Sequence, residues 1–229
     1  MKKLSVLFLS ALVLCLAPSR AGASSDKLKE MITRVESCEA VLQDFQRRPE
    51  TAIPPGVFAK ARAIVIVNQF KAGLLLGIQD GYGVILVKRA DGRWSLPALI
   101  KAGEASLGLQ LGASTVETIY IITDDQTPRL LFRQRINIGV DAKAVAGVRF
   151  KDNEKDNLPI MNVPVLVYTK KKGLFAGATV KTGFIKRDDS ANRILYKTNF
   201  NLPELLYSDW VEPIPEVQPL MALVQRLAP

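Results

Sequence analysis

The sequence contains no histidine among its 229 residues. This absence excludes Ser-His-Asp and Cys-His catalysis and histidine-ligated zinc sites. Carboxylate-only enzymes and Ser-Lys pairs stay open. No spacing among Asp80, Asp91, Glu104, Asp124 and Asp125 singles out a catalytic pair, and most charged side chains are simply solvated. We therefore predict no catalytic residue, no metal site and no cofactor.

Cysteine and aromatic residues are also scarce. The chain has two cysteines, Cys15 and Cys38, and Cys15 lies in an N-terminal apolar run. If that run is removed, Cys38 has no partner for an intramolecular disulfide. Its place on the apolar stripe of a predicted helix is typical of a small core residue, although a reactive thiol is the alternative. Aromatic residues make up 7% of the chain and no nucleic-acid-binding motif is present, so we expect no nucleic-acid partner.

The N-terminus has the pattern of an export signal. Two lysines precede an apolar run over residues 4–17, and Ala21-Gly22-Ala23 provides a small-residue cleavage site. The run is shorter than the roughly 20 residues that a transmembrane helix needs. A lipoprotein signal at Cys15 is disfavoured because Leu14 stands where a small residue is required. We predict that residues 1–23 are a cleaved signal peptide and that residues 24–229 are exported, to the periplasm or the medium.

The charge of the chain is basic. It carries 31 lysines and arginines against 22 acidic residues, a net charge of +9. The predicted signal peptide holds three of the basic residues and no acidic one, so its removal lowers the net charge to +6. A basic surface on an exported protein favours acidic lipid headgroups as the partner.

Apolar periodicity divides the chain into one long helix followed by strands. Residues 25–47 repeat apolar side chains at three- and four-residue steps, which predicts an amphipathic helix that either packs on the core or lies in a membrane surface. A C-terminal helix is expected to be weak and interrupted by Pro219. We predict a single α+β domain with a glycine-rich, bent antiparallel sheet packed against the N-terminal helix and short helices. The predicted strands are 63–67, 73–79, 82–89, 94–101, 106–112 and 116–123, with further strand character at 163–169 and 173–187.

The strands are unusually rich in glycine. Glycine inside a strand gives no side chain to pack, so its repetition indicates bends, bulges or close approach of another backbone. A groove for an acyl chain is the alternative. Gly92, in the segment Ala90-Asp91-Gly92-Arg93, is placed for the positive φ of a hairpin turn.

Several of these segments together resemble the SYLF family, which is also called the Ysc84 actin-binding domain. They are IPPGVFAKARAIVIV, GLLLGIQDGYGVILVKRADGRWSLPALI, GLQLGASTVETIYII, NIGVDAKAVAG and YTKKKGLFAGATV, in the order of the family, from about residue 24 to 197. With its export signal, the chain is similar to a bacterial exported member, and residues 198–229 form a C-terminal extension. The family motif positions are Gly73, Gly77, Gly81, Gly83, Asp91, Gly92, Trp94, Ser95, Pro97, Gly173 and Gly177.

The resemblance implies a binding protein. Eukaryotic members of the family bind phosphoinositides, some bind and bundle actin, and none belongs to a known enzyme class. For an exported member we expect an anionic phospholipid, or a related acidic amphiphile, in place of the phosphoinositide. The oligomeric state is not predicted.

Nine cations are the candidate lipid-binding residues. The three lysines at 170–172 are expected to form a turn between strands, with a solvated turn as the alternative interpretation. At about 1 kcal/mol each, three lysines fall short of the roughly 4.1 kcal/mol of a millimolar complex, so further groups must contribute. Trp94 is either a binding aromatic or a core anchor. The candidates are Lys60, Arg62, Lys71, Lys88, Arg89, Arg93, Lys170, Lys171 and Lys172.

Two other functions compete with lipid binding. The first is a protein-interaction module that docks an envelope or host partner, such as actin, through the sheet or the N-terminal helix. The second is a hydrolase that uses carboxylates or a Ser-Lys pair.

Overall fold

The computed structural model describes residues 20–73, 77–106, 112–133, 135–138, 141, 144–146, 163–172 and 183–229. The polar segment 151–159, the centre of the predicted strand 106–112, and Gly173 and Gly177 lie outside these ranges.

The described chain contains five α-helices, two 3₁₀ helices and eight strands. The α-helices are α1 (Arg20–Arg47), α2 (Pro55–Phe58), α3 (Asp189–Tyr196), α4 (Leu202–Tyr207) and α5 (Gln218–Leu227), and the 3₁₀ helices are Thr127–Arg133 and Pro215–Val217. The strands are β1 (Ala63–Gly73), β2 (Gly77–Val87), β3 (Ala98–Ser106), β4 (Gly112–Ile122), β5 (Arg135–Ile138), β6 (Ala144–Ala146), β7 (Val165–Lys172) and β8 (Gly183–Arg187).

All eight described strands belong to one sheet, in the order β5-β8-β3-β2-β1-β4-β7-β6. Neighbouring strands are antiparallel except β6 and β7, which are parallel. Strand β1 lies near the middle and pairs with β2 on one side and β4 on the other. The predicted α+β fold with an antiparallel sheet is confirmed.

The sheet buries both of its faces. On one face, α1 packs against β1 and β2, and Val35, Cys38 and Phe45 of the helix are buried beside Ile64 and Ile66. Side chains of alternating position, such as Val65 and Ile85, point to the other face. There they form a second core with Leu131 of the first 3₁₀ helix and Leu202 and Leu206 of α4.

Helix α1 is therefore a core-packing helix, which decides between the two interpretations of its amphipathic pattern. Its apolar stripe is buried against the sheet, and the Cys38 side chain is fully buried. Burial raises the pKa of the Cys38 thiol to about 12, as expected for a thiol in apolar surroundings. None of the described helices combines the length and apolar character that a bilayer crossing requires.

Two glycines of β2 lie against the backbone of β1. A Cβ atom on Gly83 would stand 2.2 Å from the carbonyl oxygen of Ile66, and one on Gly81 would stand 2.5 Å from the Cγ of Gln69. Both distances are far below any real Cβ contact, so close backbone approach requires glycine at these positions. This confirms close approach of another strand as the reason for these glycines.

Two local predictions are wrong. Lys170, Lys171 and Lys172 belong to β7, because this segment continues the antiparallel ladder with β4 and does not turn. Pro219 does not interrupt the C-terminal helix. It stands in the first turn of α5, where a missing N–H costs no helical hydrogen bond.

Several strand boundaries also differ from the prediction. Residues 94–97 precede β3, since Trp94 makes only an isolated bridge with Lys88 and β3 runs from Ala98 to Ser106. Strand β1 extends to Gly73 and β4 begins at Gly112. The turn predicted at Ala90–Arg93 is confirmed, with Gly92 at a φ of +81°.

Candidate functional site

The hairpin turn between β2 and β3 is held by its own side chains. The Asp91 carboxylate accepts hydrogen bonds from the Arg93 backbone N–H at 2.9 Å and from Arg93 Nε at 2.8 Å. These two bonds to Arg93 lower the pKa of the Asp91 carboxyl. Because Gly92 supplies the left-handed conformation, the Asp-Gly pair of the motif shapes the turn.

The residues after the turn anchor it to the core. Trp94 is 4% exposed, and its indole Nε1 donates to the carbonyl oxygen of Ala228 at 2.8 Å. The Ser95 hydroxyl accepts from the Val87 N–H at 3.0 Å. The Pro97 carbonyl accepts from the Tyr196 hydroxyl at 2.7 Å. Trp94, Ser95 and Pro97 are therefore structural anchors, and the tryptophan exposes only a small part of its surface.

Arg89 and Arg93 are tied to the chain that follows α4. Both guanidinium groups bind the carboxylate of Asp209, with Arg93 Nη2 at 3.0 Å. Arg89 also donates to the carbonyl oxygens of Leu206 at 3.1 Å and Ser208 at 2.6 Å. These contacts use three of the five guanidinium N–H donors of Arg89, and its side chain is only 12% exposed.

Beside these arginines lies a cleft of about 420 Å³, the hairpin cleft. Its lining combines apolar and charged side chains. The Trp210 side chain, next to the lining residue Asp209, is 68% exposed. The lining residues are Arg89, Arg93, Trp94, Leu96, Asp209, Val211, Glu212, Pro213 and Met221.

The three lysines at 170–172 lie in strand β7 and not in the expected turn. The Lys170 ammonium binds the carboxylate of Asp44 on α1, and its side chain is only 13% exposed. The backbones of Lys171 and Lys172 pair with Val116 and Thr115 of β4. Lys170 therefore contributes to the packing of α1 on the sheet.

Three other candidates meet in a second cleft, of about 550 Å³, at the edge where β1 and β7 begin and β2 and β4 end. We call it the strand-end cleft. Lys60 and Arg62 flank Ala61 just before β1, and Lys88 follows β2. The Lys88 N–H donates to the Arg62 carbonyl at 2.8 Å, which holds the two segments side by side. The cleft is lined by Ala59, Lys60, Ala61, Arg62, Lys88, Thr123, Asp124 and Pro164.

The cations of the strand-end cleft differ in whether their side chains are bound to other groups of the chain. The Lys88 ammonium donates to the Pro229 main-chain oxygen. The single carboxylate of the cleft, Asp124, accepts from Gln126 N–H and from the N–H and hydroxyl of Thr127, so it caps the following 3₁₀ helix. Lys60 and Arg62 are exposed and, over the described ranges, form no ion pair or side-chain hydrogen bond.

Of the nine cations that the sequence predicted, the structure brings Lys60, Arg62 and Lys88 together at the strand-end cleft. It brings Arg89 and Arg93 together at Asp209. The backbone of Lys71 lies in β1 opposite Gln79 and Ser114, away from the strand-end cleft. Asp209, which engages two of the candidates, was missed because it lies 116 residues from Arg93. No local sequence pattern predicts a pairing between residues so far apart.

The described residues offer no group of acidic or cysteine side chains that could hold a metal ion. The described residues form an α+β domain, with two clefts lined by charged and apolar side chains.

Comparison with known proteins identifies the family. The family model described as "Ysc84: Las17-binding protein actin regulator" matches residues 103–227, more than half of the chain. The chain belongs to the Ysc84 family, as the resemblance in sequence predicted.

Curated relatives agree with this assignment. LAS seventeen-binding protein 3 of Saccharomyces cerevisiae is 30% identical over 182 residues, 78% of this chain and 39% of the relative. Protein YSC84 of the same yeast is 29% identical over 182 residues, with the same coverage of 78% and 39%. SH3 domain-containing YSC84-like protein 1 of Xenopus laevis is 26% identical over 167 residues, 72% of this chain and 50% of the relative. The aligned region thus spans half or less of each of these relatives, and none of the solved structures matches the chain.

Proposed function

We propose that this chain is a non-catalytic protein-binding module whose partner is the actin filament. The observation that carries the proposal is the match of residues 103–227 to a family described as an actin regulator. The absence of histidine from the sequence is consistent with a module that binds without catalysing a reaction.

The strand-end cleft is the surface that we assign to this contact. Lys60 and Arg62 are exposed there, whereas Arg89, Arg93 and Lys170 are occupied by Asp209 and Asp44. A carboxylate from the partner would meet both cations at the mouth of the cleft, and an arginine can bind it through two hydrogen bonds. The cleft volume of about 550 Å³ is within the range of pockets that accept a small ligand or a few side chains.

Anionic phospholipid is the second candidate, because the same two cations could hold a phosphate. Two cations near an acidic membrane supply about 2 kcal/mol. A millimolar complex requires about 4.1 kcal/mol. Arg89, Arg93 and Lys170 are already bound to carboxylates of the chain, so they do not add to the free energy of lipid binding. We therefore rank a protein partner above a lipid.

Co-sedimentation of the full chain tests both candidates. Actin filaments, neutral vesicles and vesicles containing phosphatidylserine are pelleted separately with the parent protein, with a Lys60→Ala/Arg62→Ala variant and with an Arg47→Ala/Arg48→Ala control. The control removes the same charge from exposed positions at the end of α1. We expect filaments to pellet the parent and the control, and the cleft variant to bind several-fold more weakly because two charged contacts are lost.

Two results would contradict the proposal. Failure of the parent to pellet with filaments, combined with salt-sensitive pelleting on the acidic vesicles, would restore lipid binding as the function. Filament binding that the cleft variant and the control weaken equally would keep the partner but remove the strand-end cleft as the contact.

A further inference from the structure

A row of three cations crosses the sheet at the end opposite β6. The register pairs Lys101 of β3 with Lys186 of β8, and Lys186 with Arg135 of β5. Directly paired residues point to the same face of a sheet, so the three side chains stand side by side. All three are exposed. We call Lys101, Lys186 and Arg135 the basic row.

The basic row lies on the face that α1 covers elsewhere. Ile100, Ile136 and Ile185, which alternate with the three cations, belong to the second core on the other face. Helix α1 packs on β1 and β2, and α3 packs on β3. The part of this face formed by β8 and β5 is open at the basic row, as the exposure of Lys186 and Arg135 shows.

The row is only partly neutralised by the residues around it. Lys101 Nζ lies 3.5 Å from Asp188 Oδ2, a carboxylate that is 4% exposed and that also lies 3.8 Å from Arg34 Nη1. Arg135 stacks on the Phe184 ring at 4.1 Å and donates to the amide oxygen of Asn137. Lys186 makes no ion pair with any residue that the structure describes.

This arrangement opposes folding, because like charges directly opposite each other on neighbouring strands are destabilising. A cation on an edge strand protects against unwanted strand pairing, but that explanation applies only to β5, the edge strand of the three. Strands β8 and β3 lie inside the sheet and need no such protection. A binding role accounts for all three positions.

We propose that the basic row docks an acidic helical segment of a protein partner. The three cations repeat at the strand spacing of about 4.8 Å. Acidic side chains three or four residues apart on a helix repeat at about 5–6 Å. A helix lying across the strands therefore places three successive carboxylates over the three cations.

The edge of β5 argues against the simplest competing mode, addition of a partner strand. The Asp141 carboxylate accepts from the Asn137 N–H at 2.6 Å, and the Asp141 N–H donates to the Asn137 carbonyl at 2.8 Å. These bonds occupy the edge-facing N–H and carbonyl of Asn137, so a new strand could not pair along the whole of β5. Side chains are left as the means of recognition.

A membrane is a poorer fit to the same row. A flat acidic surface offers no match to the spacing of the row and only about 1 kcal/mol per cation, so apolar insertion would have to strengthen membrane binding. Within the described ranges, the large apolar side chains that are exposed are Tyr207 and Trp210. They lie in and just after α4, the helix that contributes to the other face.

The test uses the full chain and two labelled, alanine-based helical peptides of identical composition. One carries three glutamates on a single helical face, at i, i+4 and i+7 (about one per turn), and the other carries them spread around the helix. Fluorescence anisotropy compares the parent with Lys101→Gln/Lys186→Gln/Arg135→Gln and with the control Arg47→Gln/Arg48→Gln/Arg226→Gln. The control removes the same charge from exposed residues outside the row.

We expect the one-face peptide to bind the parent and the control alike, and the row variant about tenfold more weakly. The spread peptide should bind weakly to all three proteins. Equal affinities for the two peptides, or equal losses in the row variant and the control, would overturn the proposal. So would row-dependent binding to phosphatidylserine vesicles without binding to the one-face peptide.

Circular dichroism establishes that each variant is folded. If the triple variant unfolds, the single variant Lys186→Gln tests the proposal instead. The Lys186 side chain forms no ion pair with a described residue, so its replacement should leave the chain folded. Its expected effect is a two- to threefold loss of peptide affinity, and an unchanged affinity would count against the row. The peptide assay is independent of filaments, so this proposal and actin binding at the strand-end cleft can fail separately.

Discussion

At the scale of single residues, backbone proximity explains the most distinctive part of the sequence. Gly81 and Gly83 lie against Asn68, Gln69 and Ile66 of β1 at distances that exclude a methyl group. Glycine-rich segments often indicate ligand contact, and here the neighbouring strand occupies that space. The glycines therefore allow β1 and β2 to approach each other closely.

Substitution of Gly83 should be far more harmful than substitution of an unconstrained glycine. Gly83→Ala forces its Cβ against the Ile66 carbonyl oxygen, which we expect to cost about 1–3 kcal/mol of the free energy of unfolding. Gly56→Ala is the matched control, since nothing lies within 4 Å of its Cβ position. Its effect should stay within about 0.5 kcal/mol. Urea unfolding midpoints of the two variants measure the difference, and equal midpoints would refute the close-approach argument.

The Cys38 thiol should be inert in the folded protein. Burial raises its pKa from 9.0 to about 12, and the thiolate is the reactive form. Iodoacetamide at about pH 8 should label Cys38 in concentrated guanidinium chloride but not in native buffer. Comparable labelling rates under the two conditions would contradict its burial.

The same shift predicts a pH dependence of stability. Because the folded pKa lies above the unfolded one, the thiol's contribution to stability is fully present below pH 9.0 and is lost as pH rises towards 12. Chemical unfolding of the parent and of Cys38→Ala across this range isolates the contribution. The parent should lose stability more steeply than the variant.

At the scale of elements, the C-terminal segment holds the hairpin of β2 and β3 in place. Trp94 donates to Ala228, Lys88 donates to Pro229, and Asp209 holds both arginines of the turn. Residues 198–229, which we expected to be an extension beyond the family match, thus complete the packing of the hairpin. The family model also matches through residue 227.

Loss of the indole donor should weaken this contact with the hairpin. Trp94→Phe keeps a six-membered aromatic ring but loses the indole N–H, which leaves the buried carbonyl of Ala228 without its partner at a cost of about 1–3 kcal/mol. Trp210→Phe is the control, because Trp210 is 68% exposed. The chain has two tryptophans, so the fluorescence of each variant reports the remaining one during unfolding. Equal stability of the two variants would refute this role of the C-terminal segment.

How far the sequence predicts these elements depends on the range of the interactions that form them. Helix α1 and the Asp91-Gly92 turn follow from local pattern and turn chemistry, and both are confirmed. The three lysines of β7 look like a turn locally, yet pairing with β4, more than 50 residues earlier, makes them a strand. The same limit applies to the sites, since Arg93 meets Asp209 and Lys101 meets Lys186 only after the whole sheet has formed.

At the scale of the whole molecule, the export signal remains a prediction with a direct test. The described part of helix α1 runs from Arg20. Cleavage after Ala23 would remove residues 20–23 of it and leave Ser24 or Ser25 to cap the shortened helix. Mass spectrometry of the protein purified from its native host should give Ser24 as the first residue. An intact N-terminus, or a lipid-modified Cys15, would refute cleavage at this position.

The strand order has a consequence for synthesis on the ribosome. The four long strands β1 to β4 lie together in the middle of the sheet, and both of their outer neighbours, β7 and β8, come from residues 165–187. A nascent chain that has completed β4 therefore carries two unpaired edges, at β3 and β4, for at least the next 43 residues of translation. Open edges of this length recruit other strands. Truncated translation products of this protein should accordingly be aggregation-prone, and any factor that slows the ribosome before residue 165 prolongs that exposure.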